Sequence, residues 1–561
     1  MRSERWAAYR RGTLHDDLLA AAVVSVLLIP QGLAYAQLAG LPAHVGLYAS
    51  LLPLVAYAAL GSSPVLGVGP VAVLALMISQ ALAQLPAGVA AESGALVLAA
   101  EVGLLLALAA WLRLDALAAL LSVPVLQGFE VGATLSIAIS QLPVLLGASS
   151  GGSSLPQVLD AWRQAATPWT PLTALYGLTA LAALVFARRH VAAWLSRWLP
   201  VRRAAMTARF APLLVLAAAI GVAAASDAGA RGVALVGELP ALTPAFALPL
   251  ANAALWWQLL PSALLVALVA FVGSLVVAES LARRHGGHVA PRRELLGLAG
   301  ANLAAAVSGG MPVAGSFSRS ALMQDAGSRT QMTGVFTALA MALAILLLAQ
   351  PLAFLPKAVL AATILAAISS GLRLEPYRGA WRYARSEWAV MVGVTALTVL
   401  VGVAWALGLG VAASIALLLR RTGRPHVARV GRIPGSEHFR NADRHDVELT
   451  PGVLGLRIDE SLLFTNARKL TGVVTAQVAL EPGTRRVVLM MSPVNRIDLS
   501  GLEALQALHD TLAAQGVRLD LSEVKGPVLD RLRRADWTHW FRGRVFMSQH
   551  LAMLDEQGSE G

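Results

Sequence analysis

One arginine stands out where glycines, a proline and hydroxyls interrupt a long apolar stretch. The segment "GGMPVAGSFSRSALMQDAG" (309–327) carries Ser316, Ser318, Ser320, Arg319 and Asp325. Hydroxyls, backbone N–H groups freed by a helix break and a guanidinium form the convergent donor set that an oxyanion needs. An arginine at mid-bilayer depth costs about 3 kcal/mol or more unless it faces a cavity or a partner. Arg319 is therefore read as a site residue, with a snorkelling or a purely structural arginine, such as one paired to Asp325, as the alternative. The acids inside apolar stretches are Glu101, Glu130 and Glu279. Intramembrane acids mark ion or proton paths.

The elements that must hold these residues are membrane helices. The 561 residues are 57% hydrophobic and 14% charged, with a mean hydropathy of +0.65. A soluble chain carries about a quarter charged residues. Apolar runs long enough to cross a bilayer recur from about residue 18 to 421. Beyond that, charges become dense and apolar runs short, as in a separate soluble domain. The chain has no cysteine, so thiol catalysis, disulfides and cysteine-ligated metals are excluded. No metal site and no cofactor are expected. The net charge of +12 is read as a cytoplasmic excess of Lys and Arg rather than as a nucleic-acid surface. The basic N-terminus lacks the apolar core of a cleaved signal peptide.

Fourteen spans are expected, at about 18–36, 45–60, 66–84, 95–112, 122–146, 170–187, 209–226, 256–282, 294–308, 315–325, 331–350, 353–372, 387–403 and 405–420. Arginines gather after even-numbered spans: Arg113; Arg188, Arg189, Arg197, Arg202 and Arg203; Arg283, Arg284, Arg292 and Arg293; Arg373, Arg378, Arg382 and Arg385; Arg420 and Arg421. Arg163, Arg231 and Lys357 are the exceptions. The asymmetry places both termini on the cytoplasmic side. Two spans are broken. They are the third, "GSSPVLGVGPVAVLALM" (61–77), and the tenth, in the opening segment. These are equivalent places in a seven-plus-seven repeat, and an odd-numbered repeat is inverted. Matched broken spans are the sequence sign of a transporter site at the midplane. Each presents a half-helix N-terminus with unpaired N–H groups and a positive dipole end, which favour an anion.

Several stretches resemble one family, the sulfate-permease-like anion transporters (SulP, or solute carrier family 26). They are "LLIPQGLAYAQLAGLPAHVGLYASLLPLVAYAALGSSPVLGVGPVAV" (27–73), "SVPVLQGFEVGATLSIAISQLPVLLG" (122–147), "MPVAGSFSRSALMQDAGSRTQMTGVFTA" (311–338) and "RRTGRPHVARVGRIPGSEHFRN" (420–441). The resemblance implies a polytopic α-helical fold of two inverted seven-span repeats, about 18–226 and 256–421. Spans 1–4 and 8–11 would form a core that carries the anion, and spans 5–7 and 12–14 a gate. The core would move against the gate like an elevator. The family's anion-site positions fall on Gln31 and Tyr35 of span 1. They also fall on Val71 and Ala72 at the span 3 N-terminus, and on Ser316, Phe317, Ser318 and Arg319 of span 10. The implied activity is secondary-active transport of a small anion, sulfate, bicarbonate or a dicarboxylate such as fumarate, by a homodimer in the cell (inner) membrane. A channel or an anion-gated sensor or motor is the alternative. No enzyme motif is present.

The coupling acids depart from the family pattern. Gly273 stands where many members carry an acid in span 8, and Gln31 where some carry a glutamate. Glu130 and Glu279 remain as coupling candidates, with protons as the expected ion and sodium, exchange and uniport left open. Glu279 has a salt bridge with Arg283 or Arg284 as its alternative role. After a linker at 422–445, residues 446–554 resemble a STAS domain, an α/β fold (sulfate transporter and anti-sigma antagonist), with 555–561 as a tail. Its Asp498-Leu499-Ser500-Gly501 lacks a serine directly after the aspartate, so no phospho-switch is expected. Ser500 is read as a helix cap together with Asp498.

Overall fold

The computed structural model describes residues 11–114, 122–148, 152, 154–164, 169–238, 253–283, 288–368, 374–423 and 426–555. Arg284, Arg373, residues 369–372 of the twelfth expected span and residues 556–561 of the tail lie outside them. Two compact units divide the chain after Ser414.

The first unit is helical. It opens with α1 (Arg11–Leu38), α2 (Ala43–Tyr48) and α3 (Leu52–Leu60), a two-residue strand β1 (Val68–Gly69) and α4 (Ala72–Leu82). Then come α5 (Ala91–Trp111), α6 (Val123–Leu146), α7 (Leu155–Gln164) and α8 (Pro171–Phe186). A π-helical turn (Ala187–Val191) leads into α9 (Ala192–Leu195), α10 (Val201–Ala208) and α11 (Ala211–Ala225). The second half runs α12 (Ala253–Arg283), α13 (Pro291–Val307), β2 (Ala314–Gly315), α14 (Phe317–Asp325), α15 (Met332–Ala353), α16 (Lys357–Ile368), α17 (Glu375–Tyr383), α18 (Arg385–Leu400) and α19 (Val403–Thr422).

Each of the fourteen expected spans has its helical segment. Among the described residues, eight helices are long and apolar enough to cross a membrane, and α4, α11 and α16 are shorter apolar helices. The second expected span is two helices, and α7, α9, α10 and α17 are additions between spans. Sequence explains many ends. Proline, which lacks the N–H that a first turn cannot use, opens α3, α6, α8, α11, α13 and α17 within their first two positions. Gly147, at φ +90°, closes α6.

Packing sorts the helices into two groups. α13 lies on α5 and α3, α12 on α5, and α15 on α1 and α3. Separately, α18 lies on α6, and α16 on α8 and α6. The groups touch where α16 meets α1 and α4 meets α6. Glycine sets the closest approach. A Cβ at Gly46 of α2 would overlap the Gly32 carbonyl of α1, and one at Gly32 would sit 3.1 Å from the Gly46 carbonyl oxygen.

The second unit holds a six-stranded sheet in the order β4-β3-β5-β6-β7-β8. Its strands are β3 (Val427–Arg432), β4 (Phe439–Asn441), β5 (Val453–Ile458), β6 (Arg486–Met490), β7 (Arg518–Ser522) and β8 (Val545–Phe546). Helices α20 (Ala467–Leu480), α21 (Leu499–Ala514), α22 (Gly526–Arg534) and α23 (Gln549–Leu554) complete it. β5 through β8 are parallel, joined by the crossover helices that parallel pairing requires. β3 and β4 occupy the stretch read from the sequence as linker. The cap at α21 is the expected one in part. Asp498 is the N-cap, accepting from the Gly501 N–H at 2.9 Å and the Phe464 N–H at 2.7 Å. Ser500 is inside the helix, because one carboxylate already satisfies the exposed donors. Leu499 points outward, 71% exposed.

Gly46→Ala is expected to destabilise the membrane unit by about 1–3 kcal/mol, the usual cost of overpacking. The same change at Gly408, where an added Cβ meets open space, should be neutral or stabilising. Thermal unfolding of both variants in one detergent checks the contrast.

Candidate anion site

The two breaks meet. β1 pairs antiparallel with β2, Val68 opposite Gly315 and Gly69 opposite Ala314. Each strand runs at once into a half-helix, so α4 and α14 point their N-termini toward the crossing and run away from it in opposite directions. Val71 and Ser316 are the N-caps, both with extended backbones and neither with a side-chain cap bond. The first-turn N–H groups of both half-helices therefore lack the usual side-chain acceptors. Ala72 is buried and Val71 half-buried, while Phe317 and Ser318 are exposed. The Ser316 and Ser318 hydroxyls lie 3.2 Å apart.

Arg319 lies in the first turn of α14, 1% exposed. Its Nη1 donates to the Pro70 carbonyl at 2.6 Å, reaching across the crossing to the entry of α4. Its Nε and Nη2 have no hydrogen-bond partner, and among the described residues no carboxylate pairs with it. The alternative of a pair with Asp325 is not what forms, since Asp325 is bridged by Arg209 at 3.2 Å. Gly69, at φ +153°, leaves room for the guanidinium. A Cβ there would sit 3.4 Å from Nη2.

α1 touches both half-helices. Leu28, Gln31 and Tyr35 recur on one of its faces at three- and four-residue spacing. Leu28 is 3.7 Å from where a Gly69 Cβ would be, so this face lies toward the crossing. Gln31 Oε1 is buried without a partner, and Tyr35 is a buried electrostatic neighbour of Arg319. Gln31, Tyr35, Val71, Ala72 and the 316–319 turn thus gather round one crossing. Glu130 and Glu279 are elsewhere. Glu130 is exposed on α6, and Glu279 pairs with Arg283 at 3.1 Å in the last turns of α12.

Of the residues that hold the crossing, Asn302 and Ser274 were not singled out in the sequence, and Ser320 was read there as one of the anion's hydroxyl donors. The Asn302 side chain of α13 mimics a strand partner. Its Oδ1 accepts from the Val313 N–H at 2.9 Å, and its Nδ2 donates to the Val313 and Leu298 carbonyls at 3.1 and 2.8 Å. Ser274 Oγ accepts from the Gly315 N–H at 2.8 Å, and Ser320 Oγ from the Gly67 N–H at 2.9 Å. The available signal was a lone asparagine and isolated serines in apolar helices, which must find partners where no water reaches. Two buried acids act likewise. Glu294 takes Tyr57 Oη at 2.7 Å, the Ser63 N–H at 3.0 Å and the Ser62 hydroxyl. Asp17 takes the Arg329 N–H at 2.7 Å and Thr333 Oγ1 at 3.0 Å.

A helical bundle with two antiparallel half-helix segments crossing at its centre, joined to a STAS-like α/β unit, defines a polytopic membrane transporter. The model of the sulfate permease family matches residues 14–394, and that of the STAS domain residues 444–552. The chain belongs to the sulfate permease family. It is 32% identical over 571 residues to probable sulfate transporter 4.2 of Arabidopsis thaliana, covering 97% of this chain and 81% of that one. It is 33% identical over 534 residues to a probable sulfate transporter of Mycobacterium tuberculosis, covering 94% and 92%. Murine solute carrier 26 family member A9, an anion transporter solved in the inward-facing state, shares the fold at a TM-score of 0.86 and 22% identity, over 98% of this chain and 92% of that one. The transmembrane domain of the cyanobacterial bicarbonate transporter BicA shares it at 0.61 and 20% identity, over 72% and 98%.

Asn302→Ala should cost about 2–4 kcal/mol of stability, since it leaves both the N–H and the C=O of Val313 buried and unpaired. Thermal unfolding of the purified chain measures this. A loss under about 0.5 kcal/mol would mean that the crossing does not depend on this side chain.

Proposed function

We propose that this protein is a secondary-active transporter of a small inorganic or carboxylic anion, in the class of sulfate, bicarbonate or a dicarboxylate such as fumarate. The anion binds at the N-termini of α4 and α14. One observation carries the reading: Arg319 is buried with two unpartnered donor nitrogens, Nε and Nη2, beside two half-helix N-termini without side-chain caps. A buried cation without an acid is costly. A mobile anion supplies the missing charge, and the Pro70 carbonyl holds the guanidinium in place between visits. Gln31, Tyr35, Ser316 and Ser318 add neutral donors, which bind without trapping the ion. The names of the sulfate-transporting relatives and of the bicarbonate transporter support the substrate class.

In this reading the α1–α5 and α12–α15 group is the carrying core, and it moves against the group containing α6, α8, α16 and α18. The protein resides in the inner membrane as a homodimer, with both termini and the STAS unit cytoplasmic. Glu130 and Glu279 are the coupling candidates, for a proton first and sodium second. The exposed position of Glu130 suits a group that exchanges protons with water. The Arg283 partner of Glu279 favours a charged, structural role for that residue.

Uptake of labelled sulfate, bicarbonate, chloride and fumarate into proteoliposomes tests the site. Arg319→Ala should lower uptake of the preferred anion about tenfold or more, the scale of losing charge-assisted hydrogen bonds. Unchanged uptake in that variant overturns the assignment. Imposed pH and sodium gradients in the same vesicles test coupling. Uptake that ignores the pH gradient and follows sodium rules out the proton.

A further inference from the structure

The transport site leaves one surface of the bundle unexplained. At the end where α8 and α16 leave their packing, Arg188 Nη1 donates to the Ala366 carbonyl at 2.6 Å, so both chains exit at the same level. Two further segments follow these helices in the chain. The first, 187–210, contains six arginines and no acid. The second is the hairpin of α17 with α18. It is held closed by Tyr377 Oη against Thr395 Oγ1 at 2.5 Å and by Trp381 edge-on to Trp388 at 4.7 Å.

Both segments expose aromatics and arginines side by side. Trp194 and Trp198 flank Arg197, with Trp198 80% exposed. On the hairpin, Trp381, Arg382 and Tyr383 are exposed, and the Arg385 guanidinium lies over the Trp381 ring at 5.3 Å. Among the described residues, no carboxylate pairs with Arg197, Arg382 or Arg385. Water alone is a poor environment for exposed tryptophans, and hydrocarbon a poor one for unpaired arginines. The headgroup layer suits both, because indole rings settle there and guanidinium groups meet lipid phosphates.

We propose that these two segments form a binding surface for anionic phospholipid headgroups, which fixes the α6–α8–α16–α18 group in the membrane. The occupant follows from charge complementarity: the first segment has six arginines and no acid, and on the hairpin Arg378, Arg382 and Arg385 outnumber Glu375 and Glu387, so an aromatic face of net positive charge fits a phosphate-bearing lipid of the negatively charged leaflet. The inference is independent of which anion is carried.

Thermal unfolding of the full chain in neutral detergent tests it, with short-chain phosphatidylglycerol titrated against phosphatidylcholine of the same chain length. Phosphatidylglycerol should raise the midpoint beyond phosphatidylcholine, and the difference should shrink as salt rises. In Arg197→Gln/Arg382→Gln/Arg385→Gln, the apparent phosphatidylglycerol affinity should fall about fivefold for each arginine removed. The corresponding triple lysine variant should keep the preference, because charge rather than a bidentate fork is required. Equal effects of the two lipids, a salt-insensitive preference or full retention in the glutamine variant would each overturn the proposal. So would inorganic phosphate reproducing the shift. If the glutamine variant does not fold, the salt dependence of the native chain and the lysine variant still decide.

Discussion

The hydrogen bond from Arg319 to the Pro70 carbonyl joins the two halves of the chain at their weakest place. Both spans are broken there, and a broken membrane helix exposes backbone groups that hydrocarbon cannot satisfy. The crossing of β1 and β2 satisfies part of them. The guanidinium satisfies one more and brings a positive charge. Two of its donors then remain free, so the contact that steadies the crossing also keeps the site electropositive.

The remaining polar groups near the breaks follow the same constraint. Asn302, Ser274 and Ser320 each complete a backbone bond that an ordinary sheet neighbour would have made. Glu294 and Asp17 collect N–H and hydroxyl donors at turns next to the broken spans. These acids are buried but engaged, so they differ from Glu101, which is buried with Oε2 unpartnered. Burial of a carboxylate thus does not by itself mark an ion path; its partners decide.

Much of the fold was legible in the sequence. Membrane helices must be long and apolar, and proline and glycine mark where they start or break, so a helical segment lies at each expected position, and eight of the described helices are long and apolar enough to cross a membrane. The C-terminal unit has the α/β character expected of a STAS domain. Short amphipathic pieces were missed. α17 and α10 are arginine-rich and read as loops, because their apolar faces are only a few residues wide. β3 and β4 were missed because their pairing is antiparallel and local to a stretch that looks like a linker. Of the two residues read together as the cap, Asp498 is the N-cap and Ser500 is not, because Asp498 comes first and takes the donors.

The sequence by itself determined that the chain is a membrane protein of two related halves, and that the third and tenth spans are broken, with an arginine in one of them. Span length, residue type and repeat position are local properties, and they survive without coordinates. Tertiary structure alone decided what Arg319 and Asp325 do. A side chain's partner is chosen by which helices pack together, so Arg319 turned to Pro70, 249 residues away, and Asp325 to Arg209, 116 residues away.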